Sequence, residues 1–260
     1  MKNRAVTKEE WKKIVLDLVD EVDVFCRKNS IKYALSYGSL LGAVRHKGFI
    51  PWDDDLDLSM PYPDLMRFKE TFRSKNLQYC DLDTIANYQY SFSRIAYKPT
   101  FRKVGLIAKD YGVNVDLYPV VGCPEKDEDI ELFFDKAKVL NNKRMKYVVW
   151  RSRLVRVLPI TTIPGHNLAI RNYRDYIFQY PFEGAKRFFH NGGPVKWYQV
   201  FDYDVFEDLI DIEFEGHKYL APARYDDYLS HIYGNYMTPP PEDQRNPYHG
   251  GKYYWKKEVK

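Results

Sequence analysis

Two short stretches decide what this chain can fold into. Asp55-Leu56-Asp57-Leu58 and Val113-Asn114-Val115-Asp116-Leu117 alternate strictly between polar and apolar residues. A period of two marks a strand with one face buried. In the first stretch Asp53, Asp55 and Asp57 would share a face, each roughly 6.5–7 Å from the next along the strand. At an effective dielectric near 20 that repulsion is about 2 kcal/mol per pair. A fold gains nothing from it unless a positive charge sits there. Carboxylate oxygens suit Mg2+ or Mn2+, so a divalent cation is the simplest partner. The plain alternative is a solvated acidic loop. The alternation with Leu, the preceding apolar Phe49-Ile50-Pro51-Trp52, and Asp116 on a second alternating stretch all oppose it. A calcium loop of the EF-hand type fails, because Leu58 stands where Gly is required and Pro61 and Pro63 would break the loop.

The rest of the chain supplies the frame. Thr7 and Glu10 form a capping-box pattern. Trp11, Ile14, Val15, Leu18, Val22 and Phe25 then recur at helical spacing up to Asn29-Ser30. A strand is expected over 31–35, a short helix over 40–44, and a helix over 64–73. A further strand is expected over 92–97, and a basic helix over about 135–158, closed by Pro159 and Pro164-Gly165. A hairpin over 209–220 should turn at Glu215-Gly216-His217, followed by a helix over 224–233 and an extended tail from Pro239. These elements predict an α+β protein, a mixed sheet flanked by helices with helical additions. A single domain is expected. It comprises an N-terminal helix (1–30), a core (31–120), a basic helical segment (135–175) and a C-terminal hairpin and helix (205–250).

With 260 residues the chain is long enough for such a domain. Cys26, Cys80 and Cys123 are scattered with no CxxC pair, which argues against a disulfide framework or a zinc finger and fits a reducing compartment. No signal region and no apolar run of membrane-spanning length is present, so a cytoplasmic location is expected, at the inner face of the membrane. Between Lys136 and Arg174 stand ten Lys or Arg and no acid, leaving 30 basic residues against 36 acidic ones elsewhere. That segment suggests a peripheral contact with an anionic membrane or a phosphate-rich acceptor, the alternative being a solvated helix face. The acidic remainder argues against nucleic acid.

Upstream of the acids, Gly38-Ser39 falls between a strand and a helix, where backbone N–H groups can receive an anion. A Gly-Ser turn, an Asp-x-Asp strand and a lone Asp on another strand together supply a phosphate cradle and carboxylates for a metal.

The run from Tyr37 through Gly38-Ser39-Leu40-Leu41-Gly42 and Arg45-His46-Lys47-Gly48 to Trp52-Asp53-Asp54-Asp55-Leu56-Asp57 resembles the signature of the LicD family. Asn114-Val115-Asp116-Leu117-Tyr118-Pro119 resembles its second block. Tyr233-Gly234-Asn235-Tyr236-Met237 with Pro239-Pro240-Pro241-Glu242 resembles its third. The resemblance implies a nucleotidyltransferase-like fold and a phosphotransferase. Bacterial members move phosphocholine from CDP-choline to sugar hydroxyls of teichoic acid, lipopolysaccharide or other surface glycans, and fukutin-like relatives use CDP-ribitol. Asp55 and Asp57 match the family's metal pair, Asp53 an accessory acid, Asp116 the third acid, and Gly38 and Ser39 the phosphate turn. On that pattern Asp55, Asp57 and Asp116 are catalytic, with Asp116 completing the metal site or taking the acceptor's proton. Arg45 and Lys47 are expected to clamp donor phosphates, and His46 to be structural. The partners implied are a CDP-linked donor and a glycan or lipid-linked glycan acceptor. Asn235 departs from the Asp common in the family, and the segment from Arg94 to Thr100 matches only loosely. Other readings are a CDP-ribitol or CDP-glycerol donor, a nucleotidyltransferase for a small molecule, or a non-catalytic nucleotide- or glycan-binding protein.

Overall fold

In the computed structural model, residues 3–245 are described except 87, 105–107, 158–162 and 192–194, together with 252–256. Pro159, expected to close the basic helix, lies outside the described residues. Helix α1 (Lys8–Lys28) starts at the expected capping box, with the Glu10 N–H donating to Thr7 Oγ1 and the Thr7 N–H to Glu10 Oε2. Its buried stripe, Val15, Leu18, Val19 and Val22, lies in the main core.

The central sheet has seven strands. β1 (Ala34–Leu35) pairs antiparallel with β2 (Asp57–Pro61), which runs parallel to the long β7 (Asn114–Gly122). On its far side β7 pairs antiparallel with β4 (Ser93–Tyr97) through its first half. Through its second half it pairs with β8 (Phe188–His190). β3 (Leu77–Cys80) continues from β4, and β9 (Val200–Phe201) from β8. The protein is thus α+β with a mixed sheet. The sheet also recruits β8 and β9 from well outside the 31–120 segment expected to build it.

One sheet face carries Leu58, Met60, Ile95, Val115 and Leu117, all fully buried in the core with α1 and α3 (Tyr62–Thr71). Phe25 of α1 meets Phe68 and Phe72 edge-on, tying the two helical segments together. Period-two alternation puts Asp57, Ser59, Arg94, Asp116 and Tyr118 on the opposite face.

Two expectations are corrected. The strand begins at Asp57, so Asp53 and Asp55 precede it rather than sharing its face. It is also buried on both sides rather than half-buried, because a central parallel strand is covered on both faces and its polar face is roofed by other residues. The expected basic helix forms, and the basic segment continues into a second helix. α4 (Asp127–Val157) begins earlier than expected, with Asp127, Glu128 and Asp129 in its first turn, and α5 (His166–Ile177) packs back on it. Asp and Glu at a helix N-terminus complement its dipole, which is why the helix reaches upstream of the cationic run.

The C-terminal hairpin and last helix form as expected, whereas the tail expected to run extended from Pro239 turns through a 3-10 helix at Glu242–Gln244. β10 (Leu209–Phe214) and β11 (His217–Pro222) join through Glu215 and Gly216, both at positive φ, and α6 (Tyr225–Tyr233) stops at Gly234. Three strands absent from the sequence reading, β5 (Thr100–Val104), β6 (Ala108–Asp110) and β12 (Tyr253–Trp255), make a separate small sheet.

Candidate active site

The site is built by register. β2 and β7 pair so that Asp57 stands beside Asp116, and β7 and β4 pair so that Asp116 stands beside Arg94. Three neighbouring strands about 4.8 Å apart therefore present a row Asp57–Asp116–Arg94 on one face. All three are buried, Asp57 at 7% and Asp116 at 3% exposure.

Helix α2 (Tyr37–His46) meets this row end-on. Its approach is fixed by two hydrogen bonds to Asp57: the Asp57 N–H donates to Ser39 Oγ (2.8 Å), and the Ser36 N–H to the Asp57 carbonyl (3.1 Å). Gly38 and Ser39 lie in the first turn of α2 rather than ahead of it. Tyr37 opens the turn at φ 46°, a left-handed conformation that a non-glycine residue holds only under constraint from its surroundings. No side chain caps this helix, and Ser36 Oγ is buried without a partner. The Ser39 N–H already turns back onto the Ser36 carbonyl (3.1 Å), so the first-turn donor left for an anion beside the carboxylates is that of Gly38. At Gly38 a Cβ would stand 2.8 Å from Asp53 Oδ2, so the absent side chain is what lets Asp53 close against the turn.

The acids act on one another. Asp57 is pushed well above the ordinary carboxylate range by burial, then by Asp55, Asp116 and Asp53, against the pull of Arg94. Asp53 is raised to about 7, by burial first and then by Asp55. Asp116 has its counter-charge beside it. Arg94 Nε and Nη2 contact its two oxygens at 2.5 and 3.0 Å, while Asn114 Nδ2 and the Tyr118 hydroxyl donate to them at 3.1 and 3.2 Å. The Arg94 guanidinium lies 3.9 Å over the Tyr90 ring, beside Phe92, and donates to the Tyr111 hydroxyl.

A cation site is tested by what remains. Asp57 Oδ1 is buried without a partner. Among the described residues no three of His, Cys, Asp and Glu already close round one point as a ligand set. The oxygen-only donors and excess negative charge nonetheless fit a hard divalent cation that keeps part of its water.

The other expected residues separate from this centre. Arg45 donates to the Tyr236 carbonyl (2.6 Å) and to His46 (3.0 Å), so it fastens the C-terminal block onto α2. Lys47 is exposed at the far end of α2 at φ 57°, nine residues or about 13 Å along the helix from Gly38. His46 packs edge-on to Trp52, with its pKa lowered by burial and then by Arg45. Residues the sequence reading passed over are Arg94, Tyr118 and the aromatic rim. Tyr233 and Tyr198 are each roughly two-fifths exposed, and Tyr233 is pushed upward by burial and then by Asp57 and Asp53. A cation on the polar face of a segment that already read as a strand was the available signal for Arg94.

Buried carboxylates on adjacent strands, set beside an uncapped helix N-terminus, give the fold one acidic centre. Residues 30–171 match the family model LicD/FKTN/FKRP, nucleotidyltransferase domain, and the chain belongs to that family. It is 26% identical over 264 residues to the lipopolysaccharide cholinephosphotransferase LicD of Haemophilus influenzae, covering 95% of this chain and 97% of that protein. A shorter likeness, 27% over 119 residues, links 46% of the chain to 32% of an uncharacterized protein of Rickettsia typhi.

Proposed function

We propose that this chain transfers phosphocholine from CDP-choline to a sugar hydroxyl of a cell-surface glycan, such as lipopolysaccharide, teichoic acid or capsule, with Mg2+ bound and CMP released. The observation that carries this reading is Asp57, a buried carboxylate with an unpartnered oxygen, set between Asp116 and the N-terminus of α2. The overall likeness to a lipopolysaccharide cholinephosphotransferase supports the choice of group. A CDP-linked donor belongs to the cytoplasm, which puts the reaction at the inner side of the membrane.

Asp57 and Asp55 would hold Mg2+ or Mn2+, with Asp53 accessory and Asp116 adjacent. When bound, that ion supplies neutralisation of charge on the diphosphate and the departing CMP. The Gly38 N–H in the first turn receives a phosphate oxygen, and Ser39 holds the turn against Asp57 through its hydroxyl. The acceptor oxygen bonds to the phosphorus of phosphocholine as the bond to the CMP oxygen breaks. The hydroxyl proton passes to a carboxylate, and Asp116, aimed by Arg94, is placed for that or for completing the cation site. The exposed faces of Tyr198 and Tyr233 suit a trimethylammonium group.

The test is CMP release from CDP-choline by wild type and Asp57→Asn, with folding checked by circular dichroism. The variant is expected to lose at least about 100-fold, the scale of removing a positioned charged group from a transfer centre. Full turnover by a folded variant rejects the proposal. Running CDP-ribitol, CDP-glycerol and ATP in parallel decides the group. Preference for another CDP donor reassigns it, and consumption of ATP with pyrophosphate release indicates nucleotidyl transfer.

A further inference from the structure

The ten cations between Lys136 and Arg174 do not form one patch. Lys138 pairs with Asp135, while Arg171 and Arg174 pair with Asp83. Arg144 points inward, donating to the Gln89 carbonyl (2.7 Å) and lying over Tyr173. What remains on α4 is ordered. At 100° per residue, Leu132, Lys136, Val139, Lys143, Lys146, Trp150 and Arg153 fall within an arc of about 100°, and the one acid in it from Leu132 onward, Asp135, is paired with Lys138. Every one of them is exposed, Leu132 by 69%, Val139 by 68% and Trp150 by 62%. The strip is about 31 Å long. Lys143, Lys146 and Arg153 make no ion pair with a described acid. Beyond Asp135 the helix contains no acidic residue. Met145 and Val149 open a groove beside Trp150.

We infer that this face of α4 docks on an anionic lipid bilayer, with the helix lying in the membrane plane. Trp and aliphatic side chains with interleaved Lys and Arg match both layers of such a surface. The apolar groups enter the headgroup boundary, and the ammonium and guanidinium groups reach lipid phosphates. A nucleic acid would meet the cations but leave Leu132, Val139 and Trp150 without apolar contact. A second copy placed on the same strip by a two-fold axis would set Lys against Lys. No helix among the described residues is long and apolar enough to cross a membrane, so the contact is peripheral. The inward side of α4 reaches the 88–92 segment through Arg144, and Tyr90 of that segment roofs Arg94. Docking on this face therefore sets the bilayer on the outer side of the helix that buttresses the site.

The experiment is co-sedimentation of the full chain with phosphatidylcholine vesicles, with and without phosphatidylglycerol, for wild type, Lys143→Gln/Lys146→Gln, Trp150→Ser and Asp57→Asn. Wild type is expected to bind only the anionic vesicles and to be released by high salt. Each cation near such a surface contributes about fivefold, so the double Lys variant should bind about 25-fold more weakly. Trp150→Ser should weaken binding severalfold. Asp57→Asn should bind as wild type does, which separates this inference from the transfer reaction. Equal binding to neutral vesicles, no binding, or an unaffected double Lys variant overturns it. So does a dimer on size exclusion that Trp150→Ser dissolves.

Discussion

Replacing Arg94 by Leu would leave Asp116 buried at 3% exposure with only Asn114 and Tyr118 as donors. Removing one partner of a buried ion pair costs about 3–5 kcal/mol, because the remaining charge keeps its desolvation penalty and loses its compensation. The stacking of the guanidinium on Tyr90 at 3.9 Å contributes roughly another 1 kcal/mol. Arg94→Leu should therefore lower unfolding free energy by about 5 kcal/mol, and Asp116→Asn by about 4 kcal/mol, since it strands the guanidinium but keeps the stacking. Arg94→Lys keeps the charge and loses the fork, so about half that cost is expected. The Arg94→Leu/Asp116→Asn pair should cost at least about 2 kcal/mol less than the two single changes together. Equilibrium unfolding in guanidinium chloride reads all four variants. Strict additivity, or a loss below about 1 kcal/mol for Arg94→Leu, would refute the assignment of this pair as the electrostatic support of the sheet's polar face.

Gly38→Ala puts a methyl group where Asp53 Oδ2 now lies 2.8 Å away. The carboxylate can swing aside and Ala favours the helix, so stability should stay within about 1 kcal/mol while CMP release falls at least tenfold. The raised Asp53 gives a pH signature. Its folded-state value is about 7 against an ordinary 3.8, so the folded state binds the extra proton between those limits. Stability of the metal-free protein should then fall as pH rises from about 4 to 7, by roughly 2 kcal/mol after solvent screening. Asp53→Asn should flatten that slope in thermal melts, and added Mg2+ should oppose it; an unchanged slope in the variant would assign it elsewhere. Lys47→Ala should leave CMP release within about twofold of wild type, because the residue is exposed at the end of α2 remote from Gly38. A loss beyond tenfold would return Lys47 to the donor site.

The acid-bearing strands were legible because alternation reports a strand whatever its neighbours are. The capping box at Thr7 and the turn at Glu215-Gly216 were legible because both are local chemistry. Burial of both faces of β2 was not, since it depends on which elements roof the strand. Strand-edge additions such as β8 and β9 were missed for a related reason. Three residues of Phe-Phe-His carry no period, and only pairing with Val120–Gly122 makes them a strand. The register that sets Asp57 beside Asp116 spans 59 positions in sequence, and no local pattern specifies it. Arg45 and Lys47, a basic pair expected to clamp donor phosphates, could be placed only by the length of α2. A ten-residue helix carries them away from Gly38 in space.

The donor count at the two central acids decides how they divide the work. A carboxylate has about four lone-pair positions. At Asp116 three hydrogen bonds, one each from Arg94 Nη2, Asn114 and Tyr118, and the ion contact of Arg94 Nε already crowd them. Asp57 has an empty oxygen, and burial removes water as a substitute. Asp57 is thus the carboxylate that would gain most from a bound cation, since three other acids raise it. Asp116 can join only by releasing a donor. The contacts at 3.1 and 3.2 Å from Asn114 and Tyr118 are the ones to go, since they are neutral and the Arg94 fork is charge-assisted. Tyr118 shares the polar face with Asp57 and Asp116, so turning its hydroxyl away opens Asp116 Oδ2 next to Asp57. Tyr118→Phe should therefore tighten Mg2+ binding by isothermal titration while leaving the Arg94 pair intact. Weaker binding would mean that the hydroxyl supports the ion rather than competing with it.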